Sequence, residues 1–378
     1  MASRRIDAQV DTVVIGGGPA GSATALGLVE RGQSVLVVER SRYAEPRVGE
    51  AFPPAIGPLL AGLRALEPLS AVPRVPSFGI RSVWGGSEPF DRSFVLDAHG
   101  SGWHVDRRAF DAALAEEARQ RGACVRLETT LRGLEPRPSG GWVLDLDTHG
   151  QMEEVTASFV VDATGRSSAV ARRLGSTRRA HDTLVAIVGF CAGAAAEAEQ
   201  QVLLIEAVED GWWYSAPLPA GQLVVAFMTD ADLAGGALVR DEGEWRARME
   251  SAPHTSARAS HTSDLVSRRV YAASSSCLDT LAGRRWLAVG DAAVAHDPLA
   301  GDGVCRSLAS GSAAAEAIAA AAGGDGTALR AYAALRERDF DAYLQQRHAF
   351  YARELRWPTA PFWRRRHAAP LVEGRPAL

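Results

Sequence analysis

The residues with the clearest chemistry lie within the first forty positions. Gly16-Gly17-Gly18-Pro19-Ala20-Gly21 fits the spacing G-x-G-x-x-G. Such a loop lays backbone against a pyrophosphate and offers it a helix N-terminus, where anions are favoured. Gly16 permits the tight turn, Gly18 the close approach of the phosphates, and Gly21 the packing of helix on strand. Glu39 stands where a carboxylate accepts the hydroxyls of an adenosine ribose. An acid there, with no arginine in its place, disfavours a 2′-phosphate, so FAD or NAD suits the site better than NADP.

The elements that must position these residues are legible. Asp11-Thr-Val-Val-Ile15 is a short β-branched run, predicted to be a buried strand of a parallel sheet. The pattern predicts a helix over residues 20–31, stopped by Gly32, and a second strand over residues 34–38 that ends at Glu39. The glycine spacing alone is weak evidence. Strand, glycine turn, helix, strand and acid in that order make a dinucleotide site.

Composition narrows the field further. A chain of 378 residues implies roughly two to three domains. It contains 41 Lys+Arg and no lysine, so every one of those cations is an arginine. Codon usage explains this economically. Whatever its cause, it excludes Schiff bases, lysine nucleophiles and the P-loop lysine. A net charge of −4 argues against a dedicated nucleic-acid binder. The four cysteines (Cys124, Cys191, Cys277, Cys305) are scattered, form no C-x-x-C pair and suggest no metal site. Arg4 and Arg5 precede no apolar h-region, so no signal peptide is expected. The longest low-polarity stretch, residues 313–322, contains Glu316 and is too short to span a bilayer. A soluble, cytoplasmic protein is expected.

Three further segments carry the pattern onward. Trp103-His-Val-Asp-Arg107-Arg-Ala-Phe110-Asp111 opens a helix that leads to a strand over residues 123–127. Phe159-Val-Val-Asp162-Ala163-Thr164-Gly165-Arg166-Ser-Ser168 reads as a strand followed by a turn. Arg285-Trp-Leu-Ala-Val289-Gly290-Asp291-Ala-Ala-Val-Ala-His296-Asp297-Pro298-Leu-Ala-Gly301-Asp302-Gly303-Val304 is a strand ending in Gly-Asp, then a turn, then an Ala-rich helix to residue 322. With these motifs in order, the chain resembles the two-domain FAD-dependent monooxygenases of the aromatic-hydroxylase type. It is most similar to the tryptophan-halogenase-like flavoproteins, especially the maturases that oxidise tryptophan in tryptophylquinone biogenesis. The blocks that carry this likeness are Val48-Gly49-Glu50-Ala-Phe-Pro-Pro54, Trp84-Gly85, Gly102-Trp103-His104 and Trp213-Tyr214-Ser215-Ala216-Pro217, with the late Gly290-Asp291 motif.

The resemblance implies an α/β fold: a Rossmann-type FAD-binding domain, with a parallel sheet and helices, interleaved with an antiparallel substrate sheet and followed by a C-terminal helix. It implies FAD-domain segments at residues 1–75, 103–178 and 271–326. It places a substrate-domain insertion at 76–102, the substrate sheet at 179–270, and a C-terminal helix and tail at 327–378. Beyond the glycine turn and Glu39, it implies FAD contacts from Pro19, Ala20, Arg40, Arg47, Arg107, Val125, Thr164, Gly165, Asp291, Pro298, Gly301, Gly303 and Val304. Asp291 would hold the ribityl chain. The helix starting near Gly303 and Val304 would point its N-terminus at the pyrimidine edge, where reduced flavin carries negative charge.

Residues 202–229 read as three short strands in an antiparallel meander. Trp212 and Tyr214 would share one face and Trp213 the other. These rings read either as core or as the lining of a cavity for a flat substrate, with Trp84 reaching the same place. Residues 332–355 fit an amphipathic helix, followed by a basic end that is either a packed tail or a docking site for an acidic peptide.

The resemblance also implies the chemistry. Reduced flavin captures O2 as a hydroperoxide that attacks an electron-rich ring, with an indole or tryptophan side chain, free or on a peptide or protein, as the expected substrate. His296, Asp297 and Glu50 are the expected polar groups beside the flavin, His296 for a pKa near neutrality, although each also reads as a structural residue. Halogenases deliver hypohalous acid through a lysine near Ser77 and Phe78, which this chain lacks, so halogenation is disfavoured. Asp162-Ala-Thr-Gly165 resembles the halogenase version of its motif, so a partner flavin reductase is preferred over direct NAD(P)H as electron donor. Alternatives are a small-molecule phenol or indole hydroxylase, a double-bond reductase and a non-catalytic flavoprotein chaperone. No nucleic acid, membrane or metal partner is expected.

Overall fold

The computed structural model describes residues 8–193, 201–260, 262 and 268–368. Arg4, Arg5 and residues 370–378 lie outside the described residues. The described chain separates into two compact units. One holds residues 8–77, 97–181 and 275–337, and the other holds the described residues of 78–96, 182–274 and 338–368.

The first unit is built on a parallel sheet in the order β5-β4-β1-β2-β3. These strands are β1 (Ala8–Ile15), β2 (Val35–Val38), β3 (Cys124–Arg126), β4 (Gln151–Asp162) and β5 (Trp286–Ala288). Val14 lies opposite Val37 on one side and Val161 on the other. All four residues of β2 are buried, as a continuous apolar run covered on both faces requires. Two strands, Thr129–Pro136 and Trp142–Thr148, extend the sheet antiparallel beyond β4. Three helices cover it: α1 (Pro19–Glu30), α2 (Arg107–Gln120) and α3 (Gly303–Ala322). The Asp106 carboxylate caps α2 by accepting the Arg108 N–H at 2.9 Å.

Small residues let α1 and α3 lie close. A Cβ on Gly27 would stand 2.7 Å from the Ala315 methyl, and one on Gly311 would overlap the Ala20 carbonyl. Leu26, Phe110, Leu114, Leu287, Leu308 and Ile318 fill the core that this packing encloses. The expected α/β architecture is therefore present, with most element ends within one or two residues of expectation and with β1 and β4 beginning earlier, at Ala8 and Gln151.

The second unit is a seven-stranded sheet. Its order is Arg268–Ala272, Leu184–Ala192, Gln222–Asp230, Gly211–Leu218, Leu203–Val208, Gly79–Val83 and Phe90–Ser93. The expected meander forms its centre. One pairing departs from antiparallel: Leu203–Val208 runs parallel to Gly79–Val83, with Glu206 opposite Val83. Short helices Ala237–Arg240, Glu242–Glu250 and Pro253–Ala259 belong to the same unit, and Leu238 and Trp245 join the core on one sheet face with Trp213 and Phe227.

The helix expected over residues 332–355 instead spans Ala328–Tyr351, and Leu355 beyond it is exposed. The basic end is largely engaged. Arg365 and Arg366 meet Asp230, both at 2.8 Å, and Arg365 also meets Asp232 at 2.6 Å. Among the described residues no helix is long and apolar enough to cross a membrane, and no group of His, Cys, Asp and Glu could hold a metal.

Candidate functional site

The site is built at the C-terminal ends of β1, β2, β4 and β5, all in the first unit. At the end of β1 the Gly16 N–H donates to the Val38 carbonyl at 2.8 Å. Gly16 has φ +112°, and a Cβ there would overlap the Ala163 carbonyl oxygen. Gly21 packs so closely that a Cβ would overlap the Gly16 carbonyl, whereas around the Cβ position of Gly18 nothing lies within 4 Å. That open side faces the start of α1, whose N-cap Gly18 offers no side-chain cap and whose first residue, Pro19, has no N–H. A helix that begins on an open glycine with its positive end unshielded fits a pyrophosphate.

Glu39, buried at the end of β2, is tied into this turn. Its Oε2 accepts the Gly17 N–H at 2.8 Å, and its Oε1 accepts the Ser41 N–H at 3.0 Å and the Ser41 hydroxyl at 2.6 Å. Arg47 reaches Oε1 at 3.4 Å and binds the Asp111 carboxylate at 2.8 Å. Arg107 binds the same carboxylate at 3.1 Å and donates to the carbonyls of Val48 at 2.6 Å and Gly49 at 3.2 Å. Arg107 thus holds the 48–49 loop. Val125 pairs with Val37, and the Arg126 carbonyl accepts the Glu39 N–H at 2.9 Å, so β3 flanks the acid. Arg40 is exposed.

The other half of the site follows β4 and β5. Asp162 is fully buried and closes its turn by accepting the Thr164 N–H at 3.0 Å and hydroxyl at 2.6 Å, while Gly165 takes φ +64°. Asp291 follows Gly290 and keeps its carboxylate partly exposed, 3.4 Å from the Arg166 guanidinium. Arg166 also donates to the His296 carbonyl at 2.7 Å. Arg178 holds the backbone of this turn. It donates to the carbonyls of Asp291 and Ala292, the latter at 2.9 Å, and to the hydroxyls of Ser168 and Ser276, both at 2.6 Å.

A Cβ on Gly290 would meet the Ala20 methyl at 2.7 Å and the Ser307 hydroxyl at 3.2 Å. This turn therefore brings the first turn of α1 against α3. The N-cap of α3, Asp302, makes no side-chain cap, and the Cβ position of Gly303 is open. Val304 is buried in the same first turn.

The three expected catalytic groups fare differently. Asp297 is buried and caps its turn by accepting the Leu299 N–H at 2.9 Å, with Pro298 and the left-handed Gly301 completing it. Glu50 is buried and accepts the Gly49 N–H at 3.0 Å, in the loop that Arg107 holds. His296 does not have the neutral-range pKa expected of it. Burial, then the charges of Arg306 and Arg166, push it down to about 3, so the imidazole is neutral at physiological pH. Burial pushes the Cys305 thiol up to about 12, so it is an inert packing group.

The expected substrate aromatics belong to the second unit. Trp212 and Trp213 are fully buried and Tyr214 is buried. Trp213 packs against Phe227 and Trp245, at 4.9 and 4.8 Å between ring centres. Trp212 faces the other way and donates its indole N–H to the Tyr351 hydroxyl at 3.0 Å. Trp84 packs edge-on against Trp212, Tyr351 and Trp363, and donates to the Phe350 carbonyl at 3.2 Å. Trp212 and Trp213 thus pack as core residues, and Trp84 is half-buried among aromatic rings.

Sequence reasoning missed Asp111, Tyr43, Arg166 and Arg178. Asp111 carried a signal, its position four residues after Arg107 on a helix. Arg178 had none, since it reaches its partners only through tertiary folding.

The FAD binding domain family matches residues 9–347. The chain belongs to that family. It is also 31% identical over 364 residues to a protein named "Putative FAD-dependent oxidoreductase LodB" from Marinomonas mediterranea, covering 95% of this chain and 97% of that one. Among solved structures it is similar to the flavin-dependent halogenase CmlS, with 26% identity and a TM-score of 0.84 over 96% of this chain and 68% of that one. It is also similar to the peptidyl tryptophan dihydroxylase QhpG, essential for tryptophylquinone cofactor biogenesis, with 25% identity and a TM-score of 0.76 over 96% of this chain and 80% of that one. The chain is a flavin oxidoreductase with the two-domain FAD monooxygenase-like fold.

Proposed function

We propose that this flavoprotein is a monooxygenase that hydroxylates an electron-rich aromatic, with the indole of a peptide- or protein-borne tryptophan as substrate. The observation that carries this reading is the absence of lysine from a chain whose fold is shared by halogenases and a peptidyl tryptophan dihydroxylase. An arginine stays protonated and is a poor nucleophile, so none of the 41 cations replaces a halogenase lysine.

Bound and reduced, FAD supplies the electrons that activate dioxygen for transfer to the ring. The chain's own residues bind and orient. Glu39 accepts from the adenosine ribose, and the turn from Gly16 to Gly21 takes the pyrophosphate. Asp291, held by Arg166 and by the Arg178 clamp beneath it, takes the ribityl chain. The N–H groups at the start of α3 favour negative charge on the reduced ring. The neutral His296 offers a hydrogen bond without a charge. A partner flavin reductase is the proposed electron source, on the strength of the Asp162–Gly165 motif.

The test supplies the FAD-loaded protein with a flavin reductase, NADH and oxygen, and offers a tryptophan-bearing peptide, free tryptophan or a simple phenol. Mass spectrometry should find one or two added oxygens on the peptide. Oxygen added only to the free amino acid or the phenol would move the function to small-molecule hydroxylation. Chlorine added in the presence of chloride would overturn the reading.

A further inference from the structure

Tyr43 lies in the loop after β2 and has a backbone that needs explaining. Its φ is +58°, a left-handed conformation costly for an aromatic residue. The ring is buried, and three contacts hold it there. Its N–H donates to the Ser41 hydroxyl at 3.3 Å. Its face lies 4.8 Å from the Arg47 guanidinium, which Asp111 anchors at 2.8 Å. Its hydroxyl donates to the Gly17 carbonyl at 2.8 Å. Burial and the neighbouring Glu39 carboxylate raise the phenol pKa, which keeps that donor protonated.

Gly17 is the one glycine of the turn that the G-x-G-x-x-G spacing leaves unspecified. Its φ is not positive, so its backbone conformation does not demand glycine. Its surroundings do. A Cβ on Gly17 would overlap the Tyr43 hydroxyl and stand 3.1 Å from the Glu39 Cβ. Gly17 is gripped on both sides, its N–H by Glu39 at 2.8 Å and its carbonyl by Tyr43 at 2.8 Å and, more weakly, by the Ser22 hydroxyl at 3.2 Å. The next residue is Gly18, the open N-cap of α1.

We propose that Tyr43 is a positioning residue for the dinucleotide turn. Its hydroxyl fixes the Gly17 carbonyl, so the Gly17–Gly18 peptide and the start of α1 stand preformed for the FAD pyrophosphate, and this hydroxyl is the reason residue 17 is glycine. A turn held before the ligand arrives loses less conformational freedom on binding, which appears as affinity. The inference concerns binding alone and stands or falls apart from the proposed reaction.

The test titrates the full-length apoprotein with FAD by flavin fluorescence and with ADP by calorimetry. Tyr43→Phe keeps the ring and loses one neutral hydrogen bond, so affinity for both ligands should fall about fivefold to tenfold. The apoprotein melting temperature should stay close to the parent's, which a merely structural role would lower without changing ADP affinity. Gly17→Ala should weaken FAD about thirtyfold in the parent, because the added methyl meets the hydroxyl. In the Tyr43→Phe background the same alanine should cost several-fold less. Unchanged affinity of Tyr43→Phe for FAD and ADP would overturn the proposal. So would an alanine penalty that is the same in both backgrounds. If Gly17→Ala does not fold, the Tyr43→Phe titrations decide alone.

Discussion

Two polar clusters frame the nucleotide site, and they balance charge in different ways. Around Glu39, guanidiniums meet carboxylates: Arg47 binds Asp111 and approaches Glu39, and Arg107 binds Asp111. Around Asp291, Arg178 directs its N–H groups to two carbonyls and two hydroxyls, Arg166 stands 3.4 Å from the Asp291 carboxylate, and His296 is held neutral by burial and two arginines. The first arrangement suits neutral hydroxyl groups and rigidity. The second sets the open N-terminus of α3 close to the Gly290 turn, where a reduced ring would carry negative charge. The two ends of the site are therefore specialised: one grips and the other tunes.

The sharpest way to break this comparison is to remove the acid of the gripping cluster. Glu39→Ala loses a charged acceptor for the buried Gly17 N–H and for the ribose, so FAD affinity should fall about thirtyfold to a hundredfold by fluorescence titration. Asp291→Ala should cost less, because that carboxylate is already partly exposed.

His296 comes next in size. The unfolded imidazole binds a proton below about 6.5 and the folded one only below about 3, so stability is lost as pH falls through that interval. Urea unfolding of the parent should show about 2 kcal/mol lost from this group between pH 7 and pH 5. The His296→Gln variant should lack that part of the slope. An equal slope in both proteins would remove the neutral imidazole from the account.

The smallest effect is the most specific. Arg166→Gln should move the two-electron flavin potential about 30 mV more negative, about 1.4 kcal/mol. Arg47→Gln should weaken FAD binding and leave the potential where it was. Equal shifts in both variants would mean that the two clusters do not differ in role.

Much of this was legible because local rules and tertiary demands agree. The run into Gly16, the helix after it and the acid at Glu39 lie within one βαβ unit, where spacing fixes geometry. The sheet of the second unit was legible at its centre, where strand follows strand across tight turns. Its outer part was not, because the parallel pairing of Gly79–Val83 with Leu203–Val208 joins segments far apart in the chain. The same limit hid Arg178, whose four partners come from three separate segments. The aromatic run at Trp212 showed which rings share a face but not what covers them, and protein covers them. The pKa of His296 was misjudged because burial and two arginines, neither adjacent in sequence, set it.

The central claim is that this fold, without lysine, transfers oxygen to an aromatic ring. A single turnover tests it most directly. The FAD-loaded protein is reduced without oxygen, mixed with a tryptophan-bearing peptide, and exposed to isotopically labelled dioxygen. The account predicts label in the indole, in step with flavin reoxidation. Complete reoxidation with all the label in peroxide or water, and none in the peptide or any other aromatic offered, would contradict it.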